Sequence, residues 1–206
     1  MNEIKAIRLS AELSGKKILD SITFSAKQGE FVSIVGKSGC GKTTFLNCLA
    51  GFIPFKGEAI VPKNAGFVFQ NNSLFPWLTA GENIVFGLAD KNDLEKQKIA
   101  GHYLKIIGLG ERARQYPHQL SLGEAQRVAI SRSFAPSPSV VLMDEPFASL
   151  DVHTRDKMQK WLMSLCEQEK KTIVFVTQYI DEAIFLSDKI AVMKGGGFAK
   201  VFKVPF

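Results

Sequence analysis

The residues best suited to do chemistry are nine consecutive ones, 36–44, which read GKSGCGKTT and fit the pattern G-x-x-x-x-G-K-[ST]. The apolar run 31–35 precedes them and the helix-like run 45–50 follows, so we predict a strand, a loop and a helix. Glycines let the N–H groups of such a loop point inward at a positive helix N-terminus and bind phosphate. We expect Lys42 to reach the β- and γ-phosphates of a nucleotide and Thr43 to bind Mg²⁺ through its hydroxyl. The residues predicted to hold the nucleotide are Gly36, Lys37, Ser38, Gly39, Cys40, Gly41, Lys42, Thr43 and Thr44.

A second candidate pair, Asp144 and Glu145, directly follows the continuous apolar run 140–143. Such a run is typical of a strand covered on both faces, and open α/β sheets bind ligands at the carboxyl ends of their strands. A parallel sheet can therefore bring Asp144 and Lys42 to one edge. We expect Asp144 to hold Mg²⁺, directly or through water, and Glu145 to polarise the water that attacks the γ-phosphate. The alternative is that the pair only opens a turn.

A third signal is Ser121-Leu122-Gly123-Glu124, which matches the S-x-x-E capping box and precedes a helical stretch over residues 125–134. The box predicts that a helix begins here, with its N-terminus directed outward. Oriented N–H groups and the positive end of the helix dipole favour an anion at such a place. Alternatively, Ser121 only caps its own helix.

The remaining chain supplies the elements that must position these residues. We predict an α/β fold of the P-loop NTPase type, in one domain over residues 1–206. Its core comprises residues 1–70 and 136–206, with a mostly parallel sheet and an antiparallel β edge at the N-terminus. A helical subdomain is inserted over residues 71–135. Apolar periodicity places core strands at 31–35, 140–143, 172–177 and 190–193, edge strands at 4–9 and 17–26, and a tail after 197.

Composition limits the class of protein. A chain of 206 residues with 46% hydrophobic content can form one substantial core. Charged residues in its first 15 positions argue against a secretory leader, and no run reaches membrane-spanning length. Three cysteines without metal-ligand spacing suggest reduced thiols in the cytoplasm and make zinc unexpected. The net charge of +6 suits an anionic ligand or surface as well as ordinary solubility.

Taken together, these motifs resemble those of the ATPase subunits of ABC transporters. The run 140–145 is similar to a Walker B strand, and Asp151 in Ser149-Leu150-Asp151 to the D-loop aspartate. Gln70 resembles the Q-loop glutamine that senses Mg²⁺, water and the transmembrane partner. The stretch 120–124 stands where the family has its LSGGQ signature. The resemblance implies that Ser121 and Gly123 cap the γ-phosphate of ATP bound to a second ATPase subunit.

A finer resemblance, carried by residues 73–79, 116–119 and 181–186, is to the nitrate, sulfonate and taurine branch of bacterial importers. It implies a peripheral protein at the cytoplasmic face of the cell membrane. Its partners would be membrane permease subunits, a second ATPase subunit and, indirectly, a solute-binding protein. Nucleic acid is not expected as a partner.

Several positions depart from the family pattern. Gln178 stands where the family has a switch histidine, and an amide can donate a hydrogen bond but cannot carry charge or relay a proton. Leu122 and Glu124 replace a glycine and a glutamine of the signature. Leu13 stands where an aromatic ring normally stacks on adenine, and Lys37 where proline is common.

These departures leave two alternatives to a fully active importer subunit. One is a degenerate, slowly hydrolysing member of an asymmetric pair, although the retained Glu145 argues against an inactive site. The other is a soluble ATPase of the same family that works on nucleic acid or ribosomes, which the basic charge permits. Proteins of that kind usually carry paired nucleotide domains, a coiled coil or zinc modules, and the 206 residues contain none of these patterns.

Overall fold

The computed structural model describes residues 4–205 and consists of two sheets with helices packed against them. The larger sheet has six strands in the order β5-β6-β7-β3-β8-β9, and the smaller has three in the order β2-β1-β4. The strands are β1 Ile4–Leu13, β2 Lys16–Ala26, β3 Phe31–Val35, β4 Lys56–Ile60, β5 Gly66–Val68, β6 Val140–Asp144, β7 Thr172–Thr177, β8 Lys189–Lys194 and β9 Gly197–Lys203. The helices are α1 Lys42–Leu49, α2 Ala80–Val85, α3 Asp93–Ile106, α4 Leu122–Phe134, α5 Val152–Glu169 and α6 Ile180–Leu186.

The predicted α/β fold is confirmed. In the large sheet the five neighbouring strands β5, β6, β7, β3 and β8 run parallel. In the small sheet β1 pairs antiparallel with both β2 and β4. Strands β3, β6 and β7 are buried along their whole length. On β6, Val140 and Leu142 pack toward the small sheet and α1, whereas Val141 and Met143 pack toward α2 to α5. An unbroken apolar run is what a strand covered on both faces requires.

Two elements at the end of the chain were missed. The segment after residue 197 was expected to be a tail, but it forms strand β9, which pairs antiparallel with β8 at the edge of the sheet. Helix α6 was not predicted, because Tyr179 at its start makes no side-chain cap and the helix spans only seven residues. A short helix without a capping residue lacks the usual sequence signals of a helix start.

Candidate active site

Four adjacent parallel strands end at one edge of the large sheet, and each is followed by a residue predicted to act on the nucleotide. The residue pairs Val35↔Thr177, Val176↔Asp144 and Met143↔Val68 set the register across β3, β7, β6 and β5. The loop 36–44, Gln178, Glu145 and Gln70 therefore follow neighbouring strand ends. The carboxyl edge of a parallel sheet is where this class of fold places its ligands.

The phosphate-binding loop has the conformation that its glycines were expected to permit. Gly39 and Gly41 have φ values of +76° and +108°, which L side chains rarely adopt. Gly36 has no space for a side chain, because a Cβ there would lie 2.5 Å from the carbonyl oxygen of Met193. Lys42 begins α1 and is 4% exposed; its Nζ donates to the carbonyl of Gly36 at 2.9 Å. The ammonium thus lies along the loop, where phosphate oxygens would be within its reach.

The acidic pair after β6 contacts this loop directly. Thr43 Oγ1 donates to Asp144 Oδ1 at 3.0 Å, and Lys42 Nζ lies 3.4 Å from Glu145 Oε1. Burial raises the pKa of Asp144, while the hydrogen bond from Thr43 acts in the opposite direction. Residues that are distant in sequence are therefore in contact at the strand ends, as predicted.

The backbone of Glu145 is in a conformation that non-glycine residues seldom adopt. Its φ is +43°, and its N–H donates to the carbonyl of Val176 at 2.9 Å. A left-handed conformation at a glutamate is unfavourable unless the surroundings hold it, and such residues are concentrated at functional sites. The hydrogen bond to β7 holds the backbone of Glu145 in this conformation at the end of the strand.

The oxygen donors at the loop fit a magnesium ion held mainly by a nucleotide. Asp144 supplies a carboxylate and Thr43 a hydroxyl. Among residues 4–205, no group of three or more histidine, cysteine or acidic side chains could hold a metal ion. Mg²⁺ usually keeps several waters and binds through one or two protein groups plus substrate phosphates, so this sparse donor set matches its preference.

The two glutamines of the site are exposed. Gln178 lies between β7 and α6, and Gln70 is the second residue after the end of β5.

Arg132, which the sequence analysis did not single out, donates to the carbonyls of Asn72 and Ser73 at 3.2 and 2.9 Å. The segment after Gln70 is therefore attached to the C-terminal part of α4. An arginine within a helix carries no sequence signal for such a link.

The turn that begins α4 has the predicted capping box. Ser121 Oγ accepts from the N–H of Glu124, and Glu124 Oε2 accepts from the N–H of Ser121 at 2.9 Å. Gly123 packs closely against Thr154, since an added Cβ would lie 2.8 Å from its Cγ2. Leu122 is 49% exposed. In the described part of the chain, no hydrogen bond or ion pair joins this turn to residues 36–44.

The negative charge of Glu124 is balanced within the chain. Its carboxylate pairs with Arg112 at 3.1 Å. Partial burial would raise its pKa, but hydrogen bonds from Ser121 and the positive charges of Arg112 and Arg127 outweigh this effect, and the pKa is lowered. The sequence analysis expected an added negative charge at the signature and did not foresee Arg112, because that residue lies outside the motif.

Two further predicted residues lie at the margins of the site. Asp151 is the N-cap of α5 and accepts from the N–H of Thr154 at 3.1 Å. Leu13 ends β1, is 39% exposed and pairs with Lys16 across the hairpin. Farther along β2, the carbonyl of Ile18 and the side chain of Leu19 border Gly41. The hairpin is thus beside the loop. Its tip carries the aliphatic side chain of Leu13 at the position where the family pattern has an aromatic ring.

No helix among residues 4–205 is both long and apolar enough to cross a membrane.

Comparison with known proteins gives matches over most of the chain. Residues 19–148 match the family model described as ABC transporter. The chain is 40% identical to the aliphatic sulfonates import ATP-binding protein SsuB of Bacillus cereus, over all of this chain and 86% of that protein. It is 42% identical to the bicarbonate transport ATP-binding protein CmpC of Synechococcus elongatus, over 96% of this chain and 32% of that protein.

Solved structures show the same fold. A dimeric structure of the ATP-binding cassette MJ0796, in a post-hydrolysis state bound to ADP and phosphate, superposes with a TM-score of 0.87 and 32% identity. The superposition covers 98% of this chain and 99% of that one. The structure of cbiO1 from Clostridium perfringens, part of the transporter complex cbiONQ, gives a TM-score of 0.89 at 26% identity over 97% of this chain and 88% of that one.

Proposed function

Because the chain belongs to the ABC transporter family of ATPases, we propose that it powers the uptake of a small anionic or organic solute by a membrane permease. The observation that supports this most strongly is the pair of contacts at the strand ends, Lys42 with Glu145 and Thr43 with Asp144. They join the loop expected to hold phosphate to the acid expected to direct water.

In the proposed reaction, water attacks the γ-phosphate of ATP and no covalent intermediate with the protein forms. The loop N–H groups and the Lys42 ammonium stabilise the negative charge of the phosphates. Glu145 accepts a hydrogen bond from the attacking water and orients it in line with the bond to ADP. Mg²⁺, when bound through Asp144 and Thr43, would neutralise phosphate charge. The raised pKa of Asp144 is consistent with a carboxylate that gains from a nearby cation.

The remaining predicted residues act from two chains in this proposal. Gln178 and Gln70 lie beside the γ-phosphate of the ATP that their own chain binds. Ser121 presents its hydroxyl and Gly123 its N–H to ATP bound by a second ATPase subunit, which is consistent with the exposure of the α4 N-terminus. Since this turn is not bonded to residues 36–44 of its own chain, a complete site would need the partner's turn.

A groove beside the helical segment could receive the permease. It has a volume of about 660 Å³ and lies between the end of β5 and the segment 73–87. The rings of Phe67, Phe69, Phe75 and Phe86 line it, together with Arg132. Phe69 and Phe86 are exposed, whereas Phe67 and Phe75 are half-buried. Aromatic side chains beside one cation suit an amphipathic protein segment. The resemblance to importer ATPases implies a place at the cytoplasmic face of the membrane, and we infer the sulfonate-like or bicarbonate-like class of solute from the relatives.

A slowly hydrolysing partner in an asymmetric pair is the second candidate function. Gln178 and Leu122 favour it, because a neutral amide replaces an imidazole and an exposed leucine lies in the turn that would approach the partner's phosphate. The contact between Lys42 and Glu145 favours an active site.

The test is ATP turnover by the purified chain and its Glu145→Gln variant, with Glu58→Gln as the control on an exposed strand position. We expect Glu145→Gln to lower kcat by at least about 100-fold, since a positioned general base contributes that much. Glu58→Gln should leave kcat unchanged. If Glu145→Gln turned over ATP as fast as the wild type, the proposed chemistry would be contradicted. Isolation of the tagged chain from membranes with a permease and a second, different ATPase would favour the asymmetric pair.

A further inference from the structure

Arg155 is a largely buried cation near the site whose role is not explained by the proposed chemistry. It lies in the first turns of α5, and its side chain is 16% exposed. Its Nη2 donates to the carbonyl of Leu150 at 2.9 Å, next to Asp151. The guanidinium also lies 4.1 Å from the centre of the ring of Tyr179, the residue that directly follows Gln178 in the chain. One side chain therefore touches two loops that bear candidate site residues.

Glu182 connects Arg155 to the other side of Gln178. Its Oε1 lies 3.5 Å from Arg155 Nε, and its side chain is 3% exposed. Its Oε2 accepts a hydrogen bond from the hydroxyl of Thr177 at 2.5 Å. The Thr177 hydroxyl in turn accepts from the N–H of Tyr179 at 3.1 Å. The residues on both sides of Gln178 are thus held by one buried ion pair.

We propose that Arg155 is a positioning residue that couples the loop of Asp151 to the loop of Gln178. A displacement of Leu150 must move or break a guanidinium contact, and the same guanidinium holds Tyr179 and Glu182. Arginine suits this role because its planar group can stack on a ring and donate at its edge simultaneously, whereas a lysine ammonium cannot. The inference rests on the proposed role of Gln178 and on the resemblance of Asp151 to the D-loop aspartate.

A competing explanation is that Arg155 and Glu182 form an ordinary stabilising ion pair. The chain contains a matched pair for this comparison, Lys189 with Glu30, at 2.8 Å and with side chains 17% and 16% exposed. It joins the start of β8 to the turn before β3, at the opposite edge of the sheet from the site. Its loss should affect stability without affecting turnover.

The first experiment compares Arg155→Met with Lys189→Met in the chain of 206 residues. We expect Arg155→Met to lower kcat roughly tenfold with KM for ATP within about twofold, because the contacts of the phosphate-binding loop are retained. Lys189→Met should keep kcat and KM within about twofold of the wild-type values, even if its melting temperature falls as much as that of Arg155→Met. Arg155→Lys should recover only part of the lost kcat. Equal losses of kcat in Arg155→Met and Lys189→Met would overturn the proposal.

The second experiment asks whether the two loops communicate through Arg155. Asp151→Asn preserves the capping oxygen of α5 and changes its charge, so its effect on kcat is measured in wild-type and Arg155→Met backgrounds. We expect a severalfold smaller effect in the Arg155→Met background. The same effect in both backgrounds would contradict the coupling. If Arg155→Met does not fold, Arg155→Lys and Glu182→Gln replace it in the same cycle.

Failure of the two proposals can be distinguished. If wild-type turnover is not abolished by Glu145→Gln, the proposed function is wrong and this inference falls with it. If Glu145→Gln abolishes turnover but Arg155→Met behaves like Lys189→Met, only the positioning role is wrong.

Discussion

The phosphate-binding half and the signature half of the candidate site differ in how much of their structure one chain completes. In the first half, Lys42 is 4% exposed and contacts the carbonyl of Gly36 and the carboxylate of Glu145. In the second, Leu122 is 49% exposed on the first residue of α4. The first half is a closed network within the chain, whereas the second is a surface feature.

Exposure also separates the positions at which this chain departs from its family pattern from the positions at which it keeps that pattern. Leu122, Gln178 and Lys37 are exposed, and Glu124 lies at the helix end beside Arg112. The buried residues Lys42 and Asp144 retain the expected types. Groups held by burial and by one another tolerate little change, because a lost partner leaves an unpaired buried charge. We infer that the phosphate-binding half sets whether ATP binds and that the signature half adjusts how fast it is used.

Among the substitutions that test this contrast, Lys42→Ala should have the largest effect. Removing the ammonium takes away charge-assisted contacts with the phosphates, and each such contact contributes about 1.5–3 kcal/mol. We expect ATP affinity, measured by titration calorimetry, to fall by about 10- to 100-fold. Lys37→Ala is the matched control, because it removes an exposed lysine of the same loop. An equal loss of affinity in Lys37→Ala would show that Lys37 also binds phosphate and that burial does not separate the two lysines.

The sequence was sufficient to predict which residues of the first half meet at the strand ends, and the reasons are local. The motif at 36–44 and the buried runs before Gly36 and Asp144 place their residues at strand ends, and a parallel sheet leaves few other arrangements. The capping box at Ser121 was predictable for the same reason, since its two bonds join residues three positions apart.

Contacts between distant side chains were not predictable in this way. Arg112 with Glu124 and Arg155 with Glu182 join residues whose sequence context carries no motif. The positive φ of Glu145 is equally invisible, because nothing in a glutamate predicts a left-handed backbone. Strand β9 was missed because most of its residues are exposed, so its apolar pattern does not indicate a buried face.

A smaller effect is expected from Leu122→Gly, which tests the exposed half. Removing the side chain should let the turn approach a partner's phosphate more closely, so turnover should rise by about 3- to 10-fold while the ATP affinity of the single chain stays unchanged. Glycine near a helix start weakens the helix by up to about 1 kcal/mol, which is why a control is needed. Leu94→Gly provides it, because Leu94 is 63% exposed in the first turn of α3, which has its own capping box. A similar gain in turnover in Leu94→Gly would refute the role of Leu122.

The smallest effect should be the pH dependence of stability at Glu124. Its pKa is lowered in the folded protein from an ordinary value of 4.5. The charged form therefore stabilises the fold at pH values above the unfolded pKa, and this contribution is lost as the pH falls through the lower folded value. Glu124→Gln should lower the free energy of unfolding at pH 7 by up to about 1 kcal/mol, with a smaller difference from wild type in more acidic solution. Urea unfolding at several pH values measures both.

Glu95→Gln is the matched control for Glu124, because both glutamates occupy the third position of a capped helix. Among residues 4–205, the ionic partner of Glu95 is Lys91 at 4.0 Å, whereas Glu124 has Arg112 at 3.1 Å. The glutamine retains a hydrogen-bond acceptor in each case, so the difference between the two variants reports mainly the charge paired with arginine. If Glu95→Gln destabilises the protein as much as Glu124→Gln, then Arg112 adds nothing. In that case the signature turn is an ordinary cap, and its contrast with the phosphate-binding half lies in exposure alone.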